Sequence, residues 1–244
     1  MYGSISVIVP VYNSSQSIQE LCRRLVKALT AITEVYEIIL VDDSSIDDSF
    51  IKMKTARNSN AAIKLIRLSE NFGQQNAIMC GLRHAKGDYV ITIDDDLQNP
   101  PEELATLMKS IENGYDVVYG IPIARRHSAV RNLGSIMTDH LFNIVCGKPK
   151  QVKVSSFRIM KKSIVEKIIE EKASFVYISA ITLRHTKNIG NAIVVHEQRK
   201  YGSSNYNIKK LAKLFYNIYI NYSRISNRMV QNTKPQYVIK ESYL

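Results

Sequence analysis

Five short runs rich in β-branched residues recur in the first half of this 244-residue chain, and they constrain its fold more than any other feature. They are ISVIVPVY (5–12), YEIILVD (36–42), AIKLIRL (62–68), DYVITID (88–94) and DVVYG (116–120). Such runs are typical of buried strands. Apolar residues at helical spacing lie between them, as at Ile18, Leu21, Leu25 and Leu29. This alternation predicts an α/β fold, a mostly parallel sheet of the nucleotide-binding type flanked by helices.

The second half has a looser pattern. We expect helices over 131–145, 163–171 and 206–228, and strands over 154–160 and 191–199. The helix 206–228 is amphipathic, with Phe215, Ile218 and Tyr222 along one side and Lys209 and Lys213 beside them. The tail 229–244 has no periodicity and is expected to be flexible. The sequence therefore predicts one folded domain over 1–205, followed by the helix and the tail.

Charge is divided unevenly between the two halves. The chain carries 33 Lys and Arg against 22 Asp and Glu, a net charge of +11. Residues 1–122 hold 11 basic and 16 acidic side chains, which gives −5, and residues 123–244 hold 22 and 6, which gives +16. The first half therefore suits a cation, and the second suits phosphates, an anionic membrane or nucleic acid.

The cysteines and the hydropathy pattern indicate the compartment. Cys22, Cys80 and Cys146 stand far apart, without a CxxC pair, as is typical of thiols in a reducing compartment. No signal peptide is recognised before the first strand. No run approaches the roughly 18 apolar residues of a membrane span. We expect a cytoplasmic protein without a spanning helix.

Three aspartates follow the fourth predicted strand in ITIDDDLQNPPEEL, residues 91–104. Strand alternation would direct Asp94 and Asp96 to one side and Asp95 to the other, so Asp95 is expected to matter least. Two carboxylates with the Gln98 amide oxygen form a hard-oxygen site for Mg²⁺ or Mn²⁺. The alternative is an acid-rich helix start, but three aspartates exceed what capping needs.

Two other predicted strands also end in polar residues. In VDDSS, one of Asp42 and Asp43 can accept a hydrogen bond from a nucleobase, while the other can cap a helix that starts near Ile46; capping alone is the alternative. In PVYN, Pro10 starts a turn and the Tyr12 ring can stack on a base or simply pack. Ligands of parallel α/β sheets gather at the carboxyl ends of the strands, where all these residues are expected.

Several common motifs are absent from the sequence. It has no GxGxxG and no GxxxxGK[ST], so a nucleotide diphosphate would be neutralised by a metal and by basic side chains. It has no GxSxG and no HExxH. No zinc-finger, helix-turn-helix or RNP-like pattern accompanies the basic second half, so nucleic-acid binding is not predicted.

Five segments together resemble family 2 glycosyltransferases with the GT-A fold: VIVPVYN, VDDSSIDDS, LSENFGQQNAIMCGL, GDYVITIDDDLQNPPEEL and DVVYG. NFGQQNAIMCGL, DDDLQNPPEEL, SSFRIMKKSIVEKI and RKYGSSNYNIKKLAKL are similar to the polyprenyl-phosphate glycosyltransferases, the dolichyl-phosphate mannose synthase type and its bacterial undecaprenyl-phosphate relatives. The resemblance covers about residues 1–220. It makes 1–205 a catalytic domain, with a nucleotide-sugar half at 1–122 and an acceptor half at 123–205.

The resemblance implies a role for each matching position. Asp94, Asp96 and Gln98 match the DXD-type motif that binds the metal and the sugar diphosphate. Pro10, Tyr12, Asp42 and Asp43 match nucleoside-binding positions. Arg131 and Ser135 match a phosphate-binding pair four residues apart, and Arg199 matches an active-site arginine in an RxxGxSxY segment; Arg125 and Arg126 align less securely. The expected catalytic residues are Asp94, Asp96, Arg131 and Arg199.

Three positions depart from the family pattern. Ser14 stands where YNE has its acid, Ser44 replaces the glycine of DDGS, and Ser156 stands where GDFR often has its acid. Most bacterial relatives also carry membrane helices after the catalytic domain, and none is predicted from this sequence.

The resemblance implies metal-dependent, inverting transfer of a sugar from a UDP- or GDP-sugar to a polyprenyl phosphate, undecaprenyl or dolichyl. A phosphate monoester with a second pKa near 6 is already largely a dianion at neutral pH, so it needs positioning by arginines more than a base. The alternative is a hydroxyl acceptor on a polysaccharide or small molecule, in surface-glycan biosynthesis, which would need a carboxylate base. The helix 206–228 is expected either at the inner face of the membrane or packed on the domain or a second subunit.

Overall fold

The protein has an eight-stranded sheet between two layers of helices. The computed structural model describes residues 2–122, 142–172, 175–198, 208–223 and 236–244. The strands are β1 Ile5–Val11, β2 Tyr36–Asp42, β3 Ile63–Leu68, β4 Tyr89–Thr92, β5 Val117–Pro122, β6 Arg158–Lys161, β7 Ile189–Val194 and β8 Ile239–Tyr243. The helices are α1 Ile18–Thr30, α2 Ser49–Ser59, α3 Gln74–His84, α4 Leu104–Ile111, α5 Lys162–Ile169, α6 Ile178–His185 and α7 Ile208–Tyr222, with a 3₁₀ turn at Pro101–Glu103.

The strands run mostly parallel, in the order β7-β5-β6-β4-β1-β2-β3-β8. Strand β1 pairs in parallel with β2 and β4, and β2 with β3. Strand β6 lies antiparallel between β4 and β5, and β8 is antiparallel to β3. The predicted mostly parallel α/β sheet is confirmed.

Alternation along β1 divides the core into two layers. Val7 and Val9 pack with α1, α2 and α4 on one face, while Ile8 packs with α3, α5 and α6 on the other. Helix α3 lies close to the sheet because it has Gly81 at the contact, where a Cβ would be 2.4 Å from the Ile8 Cγ2 atom. Both layers are apolar, so each strand of the sheet centre is buried on both faces, as parallel sheets require.

Helix α7 packs on the domain through its C-terminal part. Ile218 and Tyr222 are buried in the second layer, and the Tyr222 hydroxyl accepts the Tyr177 N–H at 3.1 Å. Tyr216 and Tyr219 face solvent, so the helix is amphipathic as predicted. Among the described residues, no helix is long and apolar enough to cross a membrane.

The structure differs from the sequence predictions at several places. Helix α2 begins at Ser49 rather than near Ile46. The strand expected at 154–160 is β6, which begins only at Arg158. Helix α6 was not predicted. The tail expected to be flexible contains β8, which is held by pairing with β3 and by the contacts of Glu241 with Lys54 and Arg67.

Candidate functional site

The carboxyl ends of β1, β2 and β4 meet at one edge of the sheet, as predicted. Val11 pairs with Asp42, and Ile8 pairs with Thr92. The backbone N–H of Asp43 donates to the Val11 carbonyl at 2.8 Å. The residues after these strands, Tyr12, Asp43 and the aspartates 94–96, are thereby brought to neighbouring positions. Pro10 is buried within β1, and the Tyr12 ring is 47% exposed.

Asp94 is held by one donor on each carboxylate oxygen. The Gln74 amide, at the first position of α3, donates to Oδ1 at 2.7 Å. The Ser156 hydroxyl, just before β6, donates to Oδ2 at 2.5 Å. The carboxylate is thereby fixed in orientation by two other elements. Gln74 lies in NFGQQNAIMCGL, one of the segments that carry the resemblance, but no role was predicted for it.

Asp96 lies in the tight turn that follows. Its Oδ1 accepts the backbone N–H of Gln98 at 3.0 Å, and Leu97 between them has a left-handed backbone with φ +61°. Strand β4 ends at Thr92, so strand alternation does not extend to these aspartates. The orientation of each carboxylate is therefore set by the turn and by its own hydrogen bonds, and the alternation argument does not apply to them.

Asp95 ties the turn after β4 to the loop after β1. Its Oδ2 accepts the backbone N–H of Tyr12 at 3.1 Å and the hydroxyl of Ser14. Burial raises the pKa of this carboxyl to about 6, against the opposing effect of those two donors. Asp95 therefore joins two loops of the site, a structural role that the sequence did not predict, and Ser14 is its partner where the family pattern has an acid.

Asp42 and Asp43 each bind backbone of a neighbouring loop. Asp42 accepts the Ser45 N–H at 3.1 Å, and Arg67 Nε lies 3.1 Å from its Oδ2. Asp43 accepts the N–H groups of Phe72 and Gly73 at 2.7 and 2.8 Å, at the entrance to α3. Burial raises the pKa of both carboxyls, and these donors oppose the rise. Both aspartates order loops around the site, and neither caps α2.

A buried arginine on β6 holds the backbone next to Asp94 in place. Arg158 on β6 is 1% exposed and donates to Thr92 Oγ1 at 3.1 Å, to the Ser156 carbonyl at 3.3 Å and to Ser179 Oγ at 2.9 Å. Because Ser156 in turn donates to Asp94, Arg158 fixes the backbone that presents that hydroxyl. Arg131, Ser135 and Arg199, with Arg125 and Arg126, lie outside the described residues, so their predicted roles stay predictions.

The sequence match decides the family. The profile described as glycosyl transferase family 2 matches residues 6–169, which span β1 to α5 and include every strand end described above. The chain belongs to glycosyl transferase family 2.

Curated relatives share much of this glycosyl transferase sequence. A protein named undecaprenyl-phosphate 4-deoxy-4-formamido-L-arabinose transferase from Edwardsiella ictaluri is 37% identical over 218 residues, which cover 88% of this chain and 66% of that relative. A protein of the same name from Yersinia pestis has the same identity to this chain and the same coverage. The chain thus spans about two thirds of the length of these relatives.

Solved structures with the GT-A architecture share the fold. Glucosyl-3-phosphoglycerate synthase from Mycobacterium tuberculosis, in complex with Mn²⁺, UDP and glucosyl-3-phosphoglycerate, matches with a TM-score of 0.64 at 15% identity, over 88% of this chain and 76% of that one. Its complex with Mn²⁺, UDP-glucose and phosphoglyceric acid gives 0.64 at 15% identity, over 88% and 76%. The predicted GT-A fold is confirmed.

The donor set of the glycosyl transferase site suits a hard divalent cation. Asp94, Asp96 and Gln98 offer carboxylate and amide oxygens, the ligands of Mg²⁺ and Mn²⁺. Within the described residues, no three Asp, Glu, His or Cys side chains form a metal-binding group. A cation held by one or two carboxylates and by substrate phosphates needs no such group. The residues present therefore fit a metal shared with a diphosphate.

Proposed function

We propose that this chain is the catalytic part of a metal-dependent, inverting glycosyltransferase that moves a sugar from a UDP- or GDP-sugar to a polyprenyl phosphate such as undecaprenyl phosphate. The observation that carries the proposal is the 37% identity over 88% of the chain to transferases named for undecaprenyl phosphate. The fold match to a synthase crystallised with Mn²⁺ and UDP-glucose supports the donor class.

The nucleotide sugar would bind at the edge where β1, β2 and β4 end. The exposed Tyr12 ring offers a stacking surface for the base. Asp42 and Asp43 order the loops beside it, and Asp94 and Asp96 would face the diphosphate. A bound Mg²⁺ or Mn²⁺ would neutralise charge on the leaving diphosphate. Asp96, Asp94 and Gln98 would hold and orient that cation.

Ser156 favours a phosphate acceptor over a hydroxyl. Its hydroxyl is committed to Asp94 at 2.5 Å, at the position where the family pattern often has an acid. A serine hydroxyl is not a carboxylate, and at neutral pH it does not act as the general base that a hydroxyl acceptor would need. A phosphate dianion needs no base, only cations that position it. Arg131 and Arg199 are the side chains we propose for that task, with Ser135 as a further phosphate contact.

A lipid acceptor implies contact with a membrane surface, and we assign that contact to α7. Its exposed side carries Tyr216 and Tyr219, with Lys213 exposed nearby, while Ile218 and Tyr222 hold it on the domain. Tyrosine and lysine suit the interface of anionic lipids. The protein would act as a peripheral protein on the inner face of the membrane.

Flotation with anionic lipid vesicles tests the membrane contact. The wild type is compared with the double variant Tyr216→Ser and Tyr219→Ser, which changes exposed positions, and with Val35→Ser, an exposed apolar position just before β2, as a control. We expect the wild type and the control to float and the double variant to float less. Equal flotation of all three proteins would refute the assignment to α7.

An acceptor panel tests the reaction itself. The protein is incubated with Mn²⁺ and a set of UDP- and GDP-sugars, with and without undecaprenyl phosphate, and with water-soluble hydroxyl acceptors. The proposal predicts nucleotide release that depends on the lipid phosphate and a sugar–lipid product. Transfer to a hydroxyl acceptor and none to the lipid would refute it and establish the alternative acceptor.

A further inference from the structure

The segment that follows β7 lies along the turn that follows the aspartates. The N–H of Glu197 donates to the Gln98 carbonyl at 2.8 Å. His196 Nδ1 lies 3.3 Å from Asn99 Oδ1, and the N–H of Val195 donates to Glu103 Oε1 at 3.2 Å. Three consecutive residues therefore contact the stretch 98–103. That stretch begins at Gln98 of the candidate metal site, and Arg199 comes two positions after Glu197.

One arginine on a third element joins both sides of this contact. Arg24 of α1 donates from Nε to Glu102 Oε1 at 3.0 Å and from Nη2 to Glu102 Oε2 at 2.6 Å. The same Nη2 donates to Glu197 Oε1 at 3.3 Å, and Nη1 lies 3.5 Å from Glu20 Oε1. The Arg24 side chain is 13% exposed, and its hydrogen bond with Glu102 raises its pKa.

We propose that Arg24 is a positioning residue that locks the segment 195–198 to the turn 98–103, so that the chain leading to Arg199 has a fixed place relative to Asp96 and Gln98. This inference rests on the proposed function, in which Arg199 serves the acceptor and the turn serves the donor. Arg24 touches neither substrate in this scheme. It acts through Glu102 and Glu197.

Geometry gives this role to an arginine. A planar guanidinium binds one carboxylate with two parallel hydrogen bonds and still reaches a second one, which an ammonium group does not do. Without Arg24, no guanidinium would bridge Glu102 and Glu197. Glu102 is 56% exposed and Glu197 34%, so the ion pairs contribute little to stability, and variants of Arg24 are expected to fold. Their effect should appear in the position of 195–198.

Hydrogen exchange measures that position without any substrate. Backbone exchange of a peptide that contains 195–198 is compared in the wild type, Arg24→Gln and Arg23→Gln. Arg23 is the exposed neighbour on α1, so its variant matches the loss of charge. We expect exchange at Val195 and Glu197 to be about three- to fivefold faster in Arg24→Gln and unchanged in Arg23→Gln. Glu197→Gln, at a more exposed position, should give the same faster exchange. Exchange in the double variant Arg24→Gln and Glu197→Gln should be no faster than in either single variant.

Kinetics test whether the lock serves transfer. In Arg24→Gln we expect kcat for transfer to undecaprenyl phosphate to fall about tenfold, since misplacement by about 1 Å lowers rates by that order or more. The Kd of the Mn²⁺–nucleotide complex should stay within about twofold of the wild type. Arg23→Gln should match the wild type in both.

The outcomes separate this inference from the proposed function. Equal exchange in Arg24→Gln and Arg23→Gln would overturn the lock, whatever the activity. Faster exchange with unchanged kcat would overturn the positioning role. If the wild type transferred no sugar to the lipid phosphate, the proposed function would fall and the positioning role with it, while exchange would still decide whether Arg24 fixes 195–198.

Discussion

The Asp94 carboxylate is oriented by one amide donor and one hydroxyl donor, which come from distant parts of the chain. Sequence reasoning identified Asp94 from the residue types after a strand, because acid-rich strand ends are a local pattern. Its partners Gln74 and Ser156 lie 20 and 62 positions away, and a lone glutamine or serine carries no signal of such a contact. The site residues were thus predictable, and the network that orients them was not.

Ser156→Ala tests this orientation. The change removes the donor to Asp94 Oδ2, a hydrogen bond to a charged group that contributes about 1.5–3 kcal/mol. We expect the affinity for the Mn²⁺–nucleotide complex to fall about tenfold or more by titration calorimetry. Ser155→Ala is the matched control, because the Ser155 hydroxyl oxygen accepts the Phe157 N–H and does not contact Asp94. Equal affinities of the two variants would contradict the role of Ser156.

Asp95 has a role that residue type alone did not reveal. Its neighbours in sequence suggested a bystander, but its carboxylate accepts from Tyr12 and Ser14 of another loop. The sequence did show Ser14 as a departure from the family pattern. Only the fold shows that this serine lies against Asp95.

The pKa of Asp95 predicts a change of stability with pH. Burial raises this pKa to about 6 from an unfolded value of about 3.9. The folded protein therefore holds a proton that the unfolded chain releases, and this stabilisation is full below pH 4 and is lost as the pH rises to 6. The asparagine of Asp95→Asn does not titrate, so the variant does not lose this stabilisation as the pH rises. The free energy of unfolding of the variant, relative to wild type, should rise by about 2 kcal/mol from pH 4 to pH 7 in urea titrations without metal. A difference that stays constant with pH would contradict the raised pKa.

Among the elements, the strands of the sheet centre were predictable and the short peripheral elements were not. Strands β1 to β5 are apolar runs buried on both faces, which gives them a strong pattern. Helix α6 is buried from Ile178 to Leu183 all round, so it lacks an amphipathic period. Strand β8, IKESY, is mostly exposed, and its partner β3 lies more than 170 positions earlier in the sequence, so its pairing has no local signal.

Removal of residues 239–244 tests the contribution of β8. The truncated chain loses the ladder with β3 and the contacts of Glu241 with Lys54 and Arg67. With each net hydrogen bond worth about 1 kcal/mol, we expect the free energy of unfolding to fall by about 2–4 kcal/mol. Lys240→Ala, an exposed position on the same strand, should leave it unchanged. A truncated protein with the urea midpoint of the full chain would show that β8 does not stabilise the sheet.

At the scale of the molecule, the two halves of the chain meet at the edge where the strands end. The first half, with a net charge of −5, supplies the aspartates of the candidate donor site. The second half, with +16, supplies β6 with Ser156 and Arg158, and the segment 195–198 that lies on the turn 98–103. Charge counting predicted a cation for the first half and phosphates for the second, and these roles stay predictions. It could not show that β6 enters the sheet antiparallel between β4 and β5, which is what places Ser156 beside Asp94.

The most direct test of the account is the dependence of sugar transfer on Mn²⁺ and Asp96. Transfer from the active nucleotide sugar to undecaprenyl phosphate is measured against Mn²⁺ concentration for the wild type, Asp96→Ala and the exposed control Asp48→Ala. The account predicts metal-dependent turnover in the wild type and the control, and loss of turnover by at least about a hundredfold in Asp96→Ala with the fold intact by circular dichroism. Wild-type activity in Asp96→Ala, or transfer that persists with a chelator, would contradict it.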